Sequence, residues 1–361
     1  LQDMNFLNKV IWPMAQQSLL QHDSFSCDKF GGGNPFPTPR IGWEHVGSVY
    51  INGKMRQADV DILKRKGVVR KCTVSLSPVK SIAPSDNSML VKLPFSRNSV
   101  VVTPAIASNR WWKSVSSKKW ELETFKVFNQ EVQHGGIYVG FGEWVGVTGM
   151  FAMERVSKTI LMEPDTHVFE ELQRNVGQSV HVANGPVYLD RRCISNSVGT
   201  ISMKANGGSG STIIKGLEKR DNFPTIKVDC LTLPLLFDEY SIDTASNVFL
   251  KIDTEGAESL ILPSLLPWIK SSRSKPTIFV SMHAVADSTQ RTRIATVLNL
   301  YPYYAVIRGR TKEPHALTGP GVDGVLCKDG VRLTFNDGMR FTDRDICSWC
   351  DYLLVADNKR D

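Results

Sequence analysis

A lysine and three carboxylates lie close together at the end of an apolar segment. Residues 248–252 read Val-Phe-Leu-Lys-Ile and lead directly into Asp253, Glu255 and Glu258. Ligands of open α/β sheets collect outside the carboxyl ends of the strands, so Asp253 and Glu255 are predicted to be catalytic residues. An acidic first helical turn would also explain Glu255 and Glu258. It does not explain Lys251 inside the predicted strand, and Lys251 is therefore included in the catalytic set.

A glycine-rich turn follows an earlier apolar segment, residues 136–141, and has the composition of a nucleotide-binding loop. Gly140, Gly142 and Gly146 surround Glu143 in this turn. Glycines permit a tight turn and let backbone amides approach a ligand closely, after which a helix can begin. The pattern predicts a strand, a cofactor-binding loop and a helix from about Val147 to Arg155.

Glu163 ends the next apolar segment, residues 159–162, at the distance from the loop where an acid binds a ribose. A carboxylate there can accept hydrogen bonds from both ribose hydroxyls of an adenosine-containing cofactor. Dinucleotides and S-adenosylmethionine are both held in this way, so the residues leave the cofactor class open. Pro164 should end the strand, and Asp165 should cap the following helix.

The motifs occur in an order that resembles the FkbM-type family of S-adenosylmethionine-dependent methyltransferases. The matching segments cover most of the last two thirds of the chain: residues 120–125, 138–146, 162–165 with 172–175, 193–199, 228–233, 251–258 and 275–283. The resemblance implies a Rossmann-like sheet, S-adenosylmethionine as cofactor, and methylation of a hydroxyl on a sugar, glycan or related natural product. It also implies that Pro164, Ser195 and Asp253 belong to the cofactor site and that His283 ends the fifth core strand.

One position departs from the family pattern. The family has an aspartate, which helps to bind the methionine part of the cofactor, where this chain has Gly140. Glu143, three residues further along the loop, is the candidate replacement, through its side chain or through a water.

Methyl transfer to a hydroxyl requires a base and an acceptor held in line with the methyl group. Asp253 is the first choice for this base, and His283 is the second because its strand should open onto the same crevice. Lys251 would pair with Asp253 or Glu255, which favours acceptor positioning over proton abstraction. Asp253, Glu255 and Glu258 are also oxygen ligands suited to Mg²⁺, but we favour a site without metal.

The pattern of apolar segments predicts two domains. Residues 1–108 are irregular, with no assigned family, and would form an amino-terminal appendage such as a lid or a substrate-selecting region. In residues 109–361 strand and helix patterns alternate, which is typical of an α/β, doubly wound, mostly parallel sheet. The glycine-rich residues 207–211 should form a loop near the cofactor, and residues 352–356 should supply the final strand.

Composition and charge limit the class of partner. The 361 residues carry a net charge of +7, and the basic excess lies in the first 135 residues, including Arg110, Lys113, Lys118 and Lys119. An anionic glycan or phosphorylated acceptor would fit this surface, whereas no nucleic-acid-binding motif is present. No apolar segment reaches the ~20 residues of a membrane helix. The oligomeric state is not determined by these features.

Seven cysteines are scattered along the chain, which is not the pattern of a disulfide scaffold. We expect free thiols and a cytoplasmic location. Cys347 and Cys350 have the spacing of a redox or zinc pair, but no second pair or histidine cluster accompanies them.

Two other functions fit parts of the sequence. Gly142, Gly146 and Glu163 alone would suit an NAD(P)-linked oxidoreductase, although the segment from Lys251 to Glu258 disfavours it. A non-catalytic binding module that has kept the methyltransferase fold and lost the cofactor through Gly140 is the other alternative.

Overall fold

The computed structural model divides the chain into two compact units, residues 1–76 and 77–361. The structure describes these residues: 50–51, 54–55, 77–132, 134–205, 207–208, 210–211, 223–243, 245–283, 288–308, 326–327, 330–331, 334–335, 341, 346 and 350–356. In the first unit the described residues form two short antiparallel strands, β1 (Tyr50–Ile51) and β2 (Lys54–Met55). The cysteine pair at 347 and 350 lies outside the residues whose side chains are described.

The second unit contains alternating strands and helices. Its strands are β3 (Met89–Lys92), β4 (Ser99–Val102), β5 (Ile137–Phe141), β6 (Lys158–Met162), β7 (Val187–Asp190), β8 (Cys193–Ile194), β9 (Gly199–Lys204), β10 (Thr225–Leu231), β11 (Val248–Ile252), β12 (Thr277–Met282), β13 (Tyr303–Arg308), β14 (Leu326–Cys327), β15 (Gly330–Val331), β16 (Thr334–Phe335) and β17 (Cys350–Val355). Its helices are α1 (Asn109–Ser116), α2 (Leu122–Glu131), α3 (Val147–Met153), α4 (Thr166–Ser179), α5 (Leu233–Glu239), α6 (Glu258–Ser264), α7 (Leu266–Ser271) and α8 (Ser288–Leu298), with a 3₁₀ turn at Val180–Val182.

Eight strands form the central sheet, in the order β16-β13-β17-β12-β11-β5-β6-β7. The adjacent strands β7, β6, β5, β11 and β12 pair in parallel, and β17 is antiparallel to both of its neighbours. The predicted doubly wound, mostly parallel α/β sheet is therefore confirmed. The predicted final strand is also confirmed, but it lies inside the sheet, between β12 and β13.

The strands that end at the cofactor loop and at the acidic segment lie at the centre of this sheet. All five residues of β11 are buried, as are four of the five residues of β5 and of β6. Phe128 of α2 packs on Phe249 of β11 and on Phe279 of β12, with ring centroids 5.0 and 5.3 Å apart. Burial of each such ring contributes roughly 1.5–3 kcal/mol. These contacts fix the two strands whose carboxyl ends carry Asp253 and His283.

Residues before the predicted domain boundary pack against the same unit. The hairpin of β3 and β4 lies on α4, where Ser179 Oγ accepts from Val101 N–H and donates to Val101 C=O, both at 2.8 Å. Thr103 N–H donates to Asn175 Oδ1 at 2.9 Å. The second unit thus begins at Ser77, upstream of the domain boundary between 108 and 109, which stays a prediction.

A second sheet, of three strands, places two cysteines side by side. Cys193 of β8 and Cys230 of β10 are register partners in parallel strands and form a disulfide. The expectation of free thiols is wrong for this pair, because a separation of 37 residues along the chain hides their pairing in the sheet. Of the helices described, none is long and apolar enough to cross a membrane.

Candidate active site

A cavity of about 700 Å³ opens at the carboxyl ends of β5, β6, β11 and β12. This volume lies in the range of cavities that hold cofactors and drug-sized ligands. Eight of the residues predicted to act in the site line it: Gly142, Glu143, Glu163, Pro164, Lys251, Asp253, Glu255 and His283. The structure therefore brings the glycine loop and the acidic segment, more than a hundred residues apart in sequence, to one crevice.

Gly142 lies where the glycine loop touches the acidic segment. Its backbone has φ of +72°, and a Cβ added there would lie 1.7 Å from the carbonyl oxygen of Asp253. Only glycine can combine this left-handed conformation with so close an approach. This glycine therefore lets the loop pack directly against the backbone of Asp253, at the mouth of the cavity that both segments line.

Lys251 connects the loop to Asp253. Its ammonium donates to the carbonyl of Gly142 at 2.7 Å and lies 3.3 Å from Asp253 Oδ2. Burial lowers the pKa of Lys251, but the negative charges of Asp253 and Glu143 outweigh burial and raise it, so the ammonium stays charged. The unexpected lysine in the predicted strand thus holds two parts of the site together.

Glu163 is buried at the end of β6 with both oxygens fixed. Oε2 accepts from Trp144 N–H and Oε1 from Asp165 N–H, each at 3.0 Å. Burial raises the pKa of Glu163 to about 8, and these two N–H groups oppose the increase. Asp165 caps α4 as predicted, and its other oxygen accepts from Gly207 N–H and Ser211 Oγ–H at 3.2 and 2.5 Å. The described residues of the predicted glycine-rich loop therefore lie beside Asp165, and Gly208 and Ser211 line the cavity; their nearness to the cofactor stays a prediction.

His283 lies among three carboxylates. Its Nε2 is 3.8 Å from Asp253 Oδ1 and 3.6 Å from Glu255 Oε1, and its Nδ1 is 3.3 Å from Glu258 Oε1. Burial lowers the pKa of His283, but Glu258, Asp253 and Glu255 outweigh it and raise the pKa to about 9. The ring is therefore protonated at neutral pH, which favours hydrogen-bond donation over proton abstraction.

Asp253, Glu255 and His283 have the spacing of a cation site, since their ligand atoms lie within 4.8 Å of one another. The predicted trio of Mg²⁺ ligands included Glu258 instead of His283. Glu258 is turned back onto the chain, where it accepts from the N–H groups of Thr254 and Gly256 at 2.6 and 2.9 Å. Lys251 and the protonated imidazole already place two positive charges among these carboxylates.

Glu143 fills the space beside Gly140. A Cβ added at Gly140 would lie 1.8 Å from Glu143 Oε1, so the carboxylate stands where a side chain at 140 would begin. Oε1 accepts from Tyr138 O–H at 2.8 Å, and Oε2 accepts from Gly149 N–H at 3.0 Å and Thr148 O–H at 3.2 Å. An acid is thus present in the loop despite the glycine at 140.

Two other residues predicted to bind the cofactor lie away from the cavity surface. Gly146 begins α3 with φ of +89°, and a Cβ there would lie 2.6 Å from Leu172 Cδ1, so this glycine lets α3 pack closely on α4. Ser195 follows β8 and bonds to Asn196, while Cys193 and Ile194 line the cavity. Contact of Gly146 and Ser195 with the cofactor stays a prediction.

Sequence reasoning missed Asp351, which lines the cavity from β17. It lies opposite Ser281 in the sheet register, and burial raises its pKa to about 6, opposed by a hydrogen bond with Ser281. The sequence predicted this strand only as the last one of the sheet, and nothing in it marked Asp351 as a residue of the site. Arg192, which is paired with Asp190 and Glu239 at 2.6 Å each, also lines the cavity and was not predicted.

Tryptophans and lysines form one wall of the cavity. Trp111, Trp120 and Trp144 line it, and Trp111 packs edge-on against the other two with ring centroids 4.8 and 4.7 Å apart. Lys118 and Lys119 line the same side and are exposed. The amino-terminal basic excess therefore includes two residues at the site.

Comparison with protein families gives one match: residues 133–304 match the family described as Methyltransferase FkbM domain. The matched segment contains the glycine loop, Glu163, the acidic segment and His283. A search of curated proteins found no match.

Two solved structures are similar to this chain at very low identity. A precorrin 8W decarboxylase from Methanobacterium thermoautotrophicum is 12% identical, with a TM-score of 0.29 over 65% of this chain and 88% of that chain. A precorrin-6y C5,15-methyltransferase from Geobacter metallireducens GS-15 is 10% identical, with a TM-score of 0.29 over 65% of this chain and 87% of that chain. Neither likeness is close enough to inform the chemistry of this site.

Proposed function

We propose that the protein transfers a methyl group from S-adenosylmethionine to a hydroxyl of a sugar, glycan or related natural product. Residues 133–304 match the family described as Methyltransferase FkbM domain, and this match supports the proposal. The observation that carries this proposal is the meeting of the glycine loop, Glu163 and Asp253 in one cavity. Among the described residues, carboxylates and an imidazole converge in one part of the crevice, at Asp253, Glu255 and His283. A cofactor held by the loop would have its reactive end beside them.

The cofactor side of the cavity is formed by the loop and by Glu163. Gly142 lets the loop pack against the Asp253 carbonyl, and Lys251 holds the loop backbone through its bond to the Gly142 carbonyl. Glu163, fixed by two N–H donors, would bind the ribose hydroxyls. S-adenosylmethionine supplies a methyl group on a sulfonium, and the chain itself supplies the orientation.

Asp253 is the group that would accept the proton of the acceptor hydroxyl. It projects from the end of β11 into the cavity between Lys251 and His283. The protonated His283 would donate a hydrogen bond that orients the acceptor, and the base is then Asp253 alone. Proton transfer to a positioned side chain typically contributes about 10²–10⁴-fold to the rate.

The wall of tryptophans supports a ring-shaped acceptor. Indole rings offer flat apolar surfaces to the faces of a sugar, and Lys118 and Lys119 would attract an anionic group on it. An acidic or phosphorylated sugar would satisfy both features, and this is the acceptor class to test first.

Isothermal titration with S-adenosylhomocysteine tests the cofactor without knowledge of the acceptor. We expect binding by the wild-type protein and roughly tenfold weaker binding by Glu163→Ala, since each of the two lost hydrogen bonds to the ribose hydroxyls is worth about 0.5–1.5 kcal/mol. Glu170→Ala, an exposed change on α4, is the matched control and should bind as the wild type does. Transfer of labelled methyl to a panel of neutral and acidic sugars then identifies the acceptor class.

The alternatives predict different results in the same titration. Binding of NAD(P) without binding of S-adenosylhomocysteine would refute the proposal in favour of an oxidoreductase. Binding of none of these ligands would favour a degenerate binding module.

A further inference from the structure

Gly140 and Glu143 depend on each other. Gly140 has no left-handed φ, so its backbone would accept any residue, yet a Cβ there would lie 1.8 Å from Glu143 Oε1 and 2.6 Å from Glu143 Cδ. Contacts below 3.0 Å require something to move, and three hydrogen bonds hold the carboxylate. Position 140 must therefore be glycine while Glu143 occupies the space in which a side chain at 140 would lie.

Hydrogen-bond donors surround the buried carboxylate of Glu143. The residue is 1% exposed, and a buried carboxylate is tolerated only when donors satisfy it. Burial, followed by the charge of Glu143, holds the pKa of Tyr138 well above its ordinary value, so the phenol remains a neutral donor. Glu143 also helps to keep Lys251 protonated. The result is a carboxylate held in place directly behind the cofactor loop.

We propose that Glu143 supplies the negative charge that holds the amino-acid ammonium of the cofactor, in place of an acid at position 140. This inference rests on the proposed function. Glu143 lines the cavity, and its hydrogen bonds to Thr148 and Gly149, at the start of α3, hold the carboxylate in place for this contact. The acidic group has been exchanged between two positions that share one space.

The test compares two ligands that differ in the ammonium group. S-adenosylhomocysteine carries the amino-acid part, whereas 5′-methylthioadenosine has the same adenosine and no ammonium. Glu143→Gln should weaken S-adenosylhomocysteine binding about tenfold or more and leave methylthioadenosine binding unchanged. Glu163→Gln, at the ribose position, should weaken both ligands and is the matched control. A change in loop structure alone would also weaken both ligands.

An exchange variant tests the shared space directly. Gly140→Asp alone should weaken S-adenosylhomocysteine binding, because the new side chain meets Glu143. Glu143→Ala alone should weaken it by loss of charge. The double variant Gly140→Asp/Glu143→Ala should bind at least tenfold more tightly than either single variant. Circular dichroism spectra and melting temperatures of all variants identify any that fail to fold.

The outcomes separate this inference from the proposed function. If the wild-type protein does not bind S-adenosylhomocysteine, the proposed function fails and the inference fails with it. If the wild type binds and Glu143→Gln changes both ligands equally, or the double variant is no better than the singles, the inference alone is wrong.

Discussion

His283 should titrate near pH 9 in the folded protein, and replacing Glu258 should lower that value. Burial alone would lower the pKa of His283, but Glu258, Asp253 and Glu255 raise it from 6.5 to about 9. At 1.36 kcal/mol per pH unit, this difference corresponds to about 3 kcal/mol in favour of the imidazolium. Because the folded-state pKa lies above the unfolded value, this stabilisation is complete below pH 6.5 and is lost as the pH rises through 9.

Glu258→Gln removes the carboxylate nearest to the ring, which lies 3.3 Å from Nδ1. A charge at such a distance shifts a pKa by about 1–3 units, so the pKa of His283 should fall by that amount. Heteronuclear NMR of the histidine rings between pH 5 and 10 measures it, with His283→Gln to assign the signal. Glu170→Gln, an exposed carboxylate on α4, is the control and should leave the titration unchanged.

The result bears directly on which group is the base. If Asp253 is the base and His283⁺ orients the acceptor, methyl transfer should fall as the pH rises through about 9. A transfer rate that instead rises towards pH 9 would make His283 the base. A wild-type ring that titrates near 6.5, or one unaffected by Glu258→Gln, would refute the electrostatic reasoning itself.

Three further predictions concern the loop, the ribose site and the base. Gly142→Ala should abolish S-adenosylhomocysteine binding, because the added Cβ would lie 1.7 Å from the Asp253 carbonyl oxygen. The control Gly135→Ala, at a φ of +81° with nothing within 4 Å of the added Cβ, should lower the free energy of unfolding by only the ~1–2 kcal/mol of left-handed strain. Equal effects of the two variants on binding in calorimetry would contradict this prediction. Burial raises the pKa of Glu163 to about 8, so the free energy of unfolding of the wild type should fall as the pH rises from 4.5 through 8. Denaturant unfolding of Glu163→Gln should show a flatter dependence of this free energy on pH. Parallel curves for the two proteins would show that the pKa of the carboxyl is not perturbed. Asp253→Asn should reduce methyl transfer at saturating S-adenosylmethionine at least ~10²-fold, and retention of most activity would exclude Asp253 as the base.

The central elements could be predicted because their sequence signals are local. The apolar residues 248–252 and 159–162 form buried strands, and the glycines that follow residue 139 mark a turn that the backbone geometry requires. The helix predicted from Val147 begins at that residue. In each case, burial and backbone sterics act within a few residues of the signal.

The parts that could not be predicted depend on distant contacts. Spacing grouped Glu258 with Asp253 and Glu255, but the helix that begins at Glu258 turns its carboxylate onto the N–H groups of Thr254 and Gly256. Asp351 reaches the cavity only because β17 pairs with β12. The side-chain packing that places Glu143 against Gly140 likewise depends on Tyr138 and Thr148, whose orientation the sequence does not specify.

The position of β17 also has a consequence for folding. It separates β12 from β13 in the sheet, although it follows both in the chain. During synthesis, β12 and β13 must remain apart, with open hydrogen-bonding edges, until residues 350–355 have left the ribosome. Non-local pairing of this kind slows folding and exposes strand edges to aggregation. Ribosome-stalled chains that end before residue 350 should therefore be sensitive to proteases and should lack the cofactor site, which Asp351 helps to close.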